Sequence, residues 1–157
     1  MMLDKKLWLD IGKDVVSRYR EFIFDPVGSG AGAKDVFGSP YPQYSQGYGI
    51  KKRSGTIKSG GIPQDAKFKN SNAPVLTRSL MNDFKLRNTS ADGFTFGTTS
   101  WGGKVKNLER LGRVISSDKK ALPDKVVDYI VEQAEAYGEK EWKRKGGGKN
   151  ITIEIKV

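Results

Sequence analysis

Any chemistry in this chain must be built without imidazole or thiol, because none of its 157 residues is His or Cys. That removes thiol nucleophiles, disulfides, imidazole general bases and zinc sites of the usual ligand sets. Carboxylates are the next resource, since nucleases and glycosidases work with pairs of them. Asp124 with Asp128, and Glu132 with Glu135 or Glu139, stand at helical spacing. A solvated helix face shows the same spacing, lysines follow, and no motif accompanies these residues. GSGAG at residues 28–32 is the nearest candidate for a phosphate loop, but it lacks the GKS or GKT ending and no buried strand precedes it. Flexible linker is the better account of it. Ser54 and Lys58 suggest a serine–lysine dyad, yet neither lies beside a strand-to-helix elbow. The expectation is a protein with no catalytic residue, no cofactor and no metal site.

Basic residues interleaved with aromatics make the stronger pattern. Lys51, Lys52, Arg53, Lys58, Lys67 and Lys69 lie among Tyr44, Tyr48 and Phe68, a mixture that can follow a phosphate backbone and stack on bases. No helix-turn-helix, RNP-like or zinc-finger pattern organises them, so any such binding is sequence-independent. Basic against acidic residues number 5 and 5 over 1–30, 7 and 2 over 31–73, 9 and 4 over 74–121, and 7 and 7 over 122–157. The whole net charge of +10 therefore sits in the middle of the chain. A localised field suits a polyanion or an acidic protein surface, and solubility is the plainer use of the same charge.

The elements that position these residues follow from periodicity. The length and an apolar fraction of 36% suit one core, and hence a single domain over 1–157. No stretch reaches the roughly 18 to 20 apolar residues of a membrane span, and Asp4, Asp10 and Asp14 stand where a signal peptide would be apolar. Residues 2–24 place Leu3, Leu7, Ile11, Val15, Tyr19 and Phe22 at steps of three and four, with Val16 and Ile23 widening the stripe. This predicts an amphipathic helix that ends at Asp25-Pro26. From 27 to 73 the chain turns rich in Gly, Ser and Tyr, too long for an ordinary connection. It is either a floppy insertion or an arm that orders on a neighbouring subunit through Tyr41, Tyr44 and Tyr48 and its cations. A short strand pair around Ile50 and Ile57, turning at Ser54-Gly55, fits both.

Pro74–Asp83 reads as a short helix, followed by a hairpin with Phe84 and Leu86 inward on one strand and Phe94 and Phe96 on the other. For Leu86 to face Phe96 the loop must be odd in length, pairing 88 with 94. A loop and short helix with Val105, Leu108 and Leu111 on its apolar side close at Gly112, and 113–121 read as a surface connection. The longest helix spans about 123–145, with acidic residues at its start and basic ones at its end to complement its dipole. Gly146–Gly148 then reverses the chain into an alternating strand over 151–157. The sum is an α+β fold: a small antiparallel sheet of hairpin plus C-terminal strand, packed on the N-terminal and long C-terminal helices, with a long extended loop.

The order of motifs resembles the tail-completion or neck proteins of long-tailed bacteriophages, the phage virion morphogenesis or minor tail protein group. Within a V-L-T-x-S-L segment (Val75, Leu76, Thr77, Ser79, Leu80), Leu76-Thr77 with Leu80 follows that family's L-T-G-x-L-x-x-S segment, with Arg78 in place of its glycine. Phe96-Gly97-Thr98 follows its V-G-T strand, and Glu109 with Gly112 approximates a Y-A-x-x-x-E-x-G segment, whereas Ala121-Leu122-Pro123 stands where the family has R-P-F-L. The resemblance covers about residues 74–145. It implies a non-catalytic virion protein, made in the host cytoplasm, that forms a ring of six or twelve copies in the neck. Its implied partners are other neck, connector and tail-terminator proteins, and the genomic DNA that passes through the lumen without being read or gripped. Under this resemblance Lys51, Lys52, Arg53 and Lys58, with Tyr41, Tyr44 and Tyr48, form an inter-subunit or DNA-facing surface. The alternatives are a tail terminator or head-side adaptor, and a small basic nucleic-acid-binding protein.

Overall fold

The computed structural model describes residues 5–144, with side chains described as far as residue 140. The triple-glycine stop and the expected C-terminal strand lie outside the described residues. Within them the protein is α+β, with five helices and two antiparallel strand pairs. Helix α1 (Lys5–Phe24) ends at Asp25-Pro26 as expected, although Asp25 leaves the helix at φ 45° rather than in the extended geometry expected before proline. Its innermost line is Trp8, Ile11, Val15, Tyr19 and Ile23, while Leu7 and Phe22 are half-buried at its margin.

Helix α1 packs on both the hairpin, β3 (Lys85–Thr89) with β4 (Phe94–Gly97), and the long helix α5 (Asp124–Arg144). Tyr19 is the hub of the aromatic core, with its ring 4.9 Å from Phe84, 5.3 Å from Phe96 and 6.5 Å from Phe24. Its buried hydroxyl donates to the Ile115 carbonyl at 2.7 Å. Val126, Ile130 and Ala134 are the buried line of α5. At Gly12 the helix comes close to the hairpin: a Cβ there would stand 2.6 Å from Leu86 Cδ1 and 3.2 Å from the Phe94 ring.

The hairpin has the expected Leu86 to Phe96 pairing but reaches it differently. Asn88 pairs with Thr95 and Thr89 with Phe94, around a four-residue connection, Ser90–Gly93. Parity is restored by a bulge at Arg87 between Leu86 and Asn88, which inserts one unpaired residue and returns the inward alternation to step. The odd-length loop is thus corrected to an even loop plus a bulge.

Other connections also differ from expectation. The helix expected over 74–83 is confined to α3 (Ser79–Asp83), preceded by Arg78 at φ 64°. Helix α4 (Gly102–Arg110) closes through Gly112 at φ 74°, with Gly112 N–H donating to Glu109 and Arg113 N–H to Leu108, the Schellman pattern. Leu108 is its buried residue and Leu111 is exposed, contrary to the expected apolar face. The surface connection expected at 113–121 is partly core, with Ile115 fully buried and Arg113 nearly so.

The largest correction concerns residues 27–73, which fold against their own body. Ala33, Val36, Tyr41, Phe68 and Ala73 are buried in the common core, and the backbone is tied in by Lys34 N–H to the Phe22 carbonyl and Val36 N–H to the Val114 carbonyl. Ile50 lies in a helix, α2 (Gln46–Ser54), whose end is the left-handed Gly55 at φ 73°. The strand pair follows it as β1 (Lys58–Ser59) and β2 (Ile62–Pro63), turning at Gly60-Gly61, where both φ values are positive as a type I′ turn requires. GSGAG is likewise no linker. Gly28 and Gly32 direct their N–H groups at the Asp25 carboxylate, 3.2 and 2.8 Å away, so the loop already holds an internal anion where a phosphate loop would hold its ligand.

Candidate functional site

The aromatic and basic residues singled out in the sequence do gather, but in two layers. Helix α2 turns Gly49 and Lys52 inward and leaves Tyr48, Ile50, Lys51 and Arg53 outward. Beneath it, Lys52 is 1% exposed, and its ammonium donates to the carbonyls of Ser71 at 2.6 Å and Ala73 at 3.1 Å. The Tyr44 hydroxyl donates to the same Ala73 carbonyl, and its ring lies under the Lys52 ammonium at 4.6 Å and the Arg113 guanidinium at 3.8 Å. Tyr48 stacks on Tyr44 with centroids 4.8 Å apart. Tyr41 is buried, whereas Lys51, Arg53 and Lys58 are exposed. The expected surface of seven residues is therefore corrected: Lys52 and Tyr41 belong to the packing underneath it.

Three residues missed in the sequence complete the inner layer. Arg113, 5% exposed, donates to the Pro42 carbonyl at 2.7 Å, and its buried Nε has no partner among the described residues. Gln64 donates to the Lys52 carbonyl, and the Ser71 hydroxyl donates to the Gly30 carbonyl. Val114 and Ile115 were the only signal that the Arg113 segment goes inside, and nothing local marks Arg113 itself.

Among the described residues no carboxylate pairs with the two buried cations, which rest on carbonyl dipoles and the Tyr44 ring. Burial, reinforced by the Arg113 charge, lowers the Lys52 ammonium to about 8. Burial also pushes the Tyr44 hydroxyl up to about 12, against the pull of Arg113. Between residues 36 and 82 the one carboxylate is Asp65, which Arg78 engages. The outer layer is thus a cationic surface over a cationic interior, and its chemistry is attraction of anions.

The catalytic candidates do not assemble. Ser54 donates its hydroxyl to the Lys51 carbonyl at 2.6 Å rather than to Lys58. Among the described residues no group of carboxylates has a metal-binding arrangement, and no helix is long and apolar enough to cross a membrane. A cleft of about 930 Å³ opens beside β4, floored by Tyr19, Phe84 and Phe96 and rimmed by Lys106, Glu109 and Asp118. The Tyr19 hydroxyl at its floor is already committed to Ile115.

No protein-family model, no curated protein and no solved structure matches the chain.

Proposed function

We propose that the protein is a non-catalytic bacteriophage virion component, a tail-completion or head–tail joining subunit that forms a ring around the DNA channel in the neck. The observation that carries this reading is the backbone at Arg78. Where the resembling family has glycine in its L-T-G-x-L segment, this chain holds Arg78 at φ 64°, the left-handed conformation that glycine adopts without strain. Position 78 thus has a backbone that would suit the glycine of that motif, and the Arg78 guanidinium is bonded to Asp65. The cationic surface of Lys51, Arg53 and Lys58 supports the same reading, as the face that meets a neighbouring subunit or the passing duplex. Tail terminator and head-side adaptor are neighbouring positions in the same stack, with the same partners.

The exposed cations also favour a second reading, a sequence-independent nucleic-acid-binding protein. Light scattering of the full chain with and without duplex DNA separates the two. The virion reading expects a closed ring in the absence of DNA. A chain that stays monomeric, and gains mass only on DNA with affinity falling steeply as salt rises, establishes the binding protein instead.

A further inference from the structure

We infer that the outer face of α2 and the β1–β2 hairpin docks on the acidic face of α5 in a second copy of the chain; the inference rests on the ring reading and names its contact surfaces. Lys51, Arg53 and Lys58 are exposed on this module, and Lys67 and Lys69 are exposed on the short turn that follows it. Asp65, the segment's one carboxylate, is engaged by Arg78 and also lies in the field of Lys67, and among the described residues Lys51, Arg53, Lys58 and Lys69 have no ion pair. Among them stand Ile50 at 55% exposure, Ile62 at 50% and Tyr48 at 37%.

Helix α5 offers the complement. At about 100° per residue, Asp124, Asp128, Glu132, Glu135 and Glu139 fall within an arc of about 80° and run about 22 Å along the axis. All five are exposed, and among the described residues only Asp124 has an ion pair, with Lys120. Lys125 and Lys140 fall outside the arc. Half-buried Val131 lies on its flank, an apolar neighbour for the isoleucines.

Two considerations select a second copy as the occupant. Both faces are exposed in one molecule, so they do not cover each other, and opposite charges on two separate faces join subunits head to tail, the heterologous contact from which rings are built. The isoleucines favour a protein partner over DNA on this face: a phosphate backbone covers little apolar surface, whereas a protein partner removes it from water at about 25 cal/mol per Å².

The test is sedimentation of the full chain over a concentration series at low and high salt. It compares wild type with Lys51→Glu/Arg53→Glu/Lys58→Glu and with Glu132→Lys/Glu135→Lys/Glu139→Lys. All six positions are exposed, and unchanged circular dichroism verifies the fold. Each triple variant alone is expected to dissociate at concentrations about tenfold or more above the wild-type midpoint. Mixing the two variants is expected to restore association, because each then carries the face the other lacks. Wild type that associates indifferently to both reversals overturns this docking while leaving the ring intact through another face. Wild type that remains monomeric until DNA is added overturns the ring itself.

Discussion

Lys52 shows how one residue's surroundings set a measurable property of the fold. Its ammonium titrates near 8 in the folded chain against an ordinary 10.5, so between those values the unfolded chain holds a proton that the folded chain has released. Stability therefore rises as pH climbs from about 8. Tyr19, Tyr41 and Tyr44 act in the opposite sense: burial raises all three above the ordinary 10, so ionisation of the unfolded chain erodes stability once pH passes that value. Urea unfolding across this range should show a maximum near pH 10. In Lys52→Met the rise from pH 8 should vanish, with stability at pH 7 within about 1 kcal/mol of wild type, since the lost carbonyl bonds offset relief of the buried charge. Arg78 gives a second test. Arg78→Gly relieves a left-handed backbone and loses a half-exposed ion pair, so thermal melting should shift by less than about 1 kcal/mol equivalent, whereas Arg78→Val should cost more than about 1.

Between neighbouring elements, register and close approach decide what is tolerated. Deleting Arg87 removes the bulge but leaves Leu86 opposite Phe96 and Thr89 opposite Phe94, at the cost of the Arg87 to Thr99 bond. The deletion should melt within a few degrees of wild type with an unchanged near-ultraviolet aromatic spectrum. Deleting Thr95 instead puts Phe94 on the wrong face of β4, away from Trp8, whose ring lies 5.9 Å from it, and should abolish that spectrum. The seam between α1 and the hairpin is equally constrained. Gly12→Leu forces branched carbons into Leu86 and Phe94, with an expected loss of about 1–3 kcal/mol in chemical denaturation.

For the molecule as a whole, the folding of 27–73 onto its own body makes the basic module a preformed surface. Under amine acylation of the dilute chain, Lys51 and Lys58 should react freely and Lys52 more slowly by about tenfold or more, because Lys52 becomes accessible only when α2 lifts from the 71–73 backbone. Equal rates would restore the arm that orders only in company. The contrast marks the division between what was legible in the sequence and what was not. Helices α1 and α5 were legible because Ile11, Val15 and Tyr19, and Val126, Ile130 and Ala134, repeat at the helical period, a property of neighbours along the chain. The Leu86 and Phe96 pairing was legible for the same reason, although the bulge that achieves it was not. In the candidate site, the sequence marked the outer cations Lys51, Arg53 and Lys58 and the ring of Tyr44. The inner layer was hidden because a buried cation carries no local signature: Lys52 rests on carbonyls about twenty residues away, and Arg113 on one seventy-one residues away. Composition and periodicity by themselves determined the fold class and the net positive charge of the middle segment. Only the tertiary structure decided which cations face solvent and which lie beneath, because burying a charge depends on dipoles brought together from distant parts of the chain.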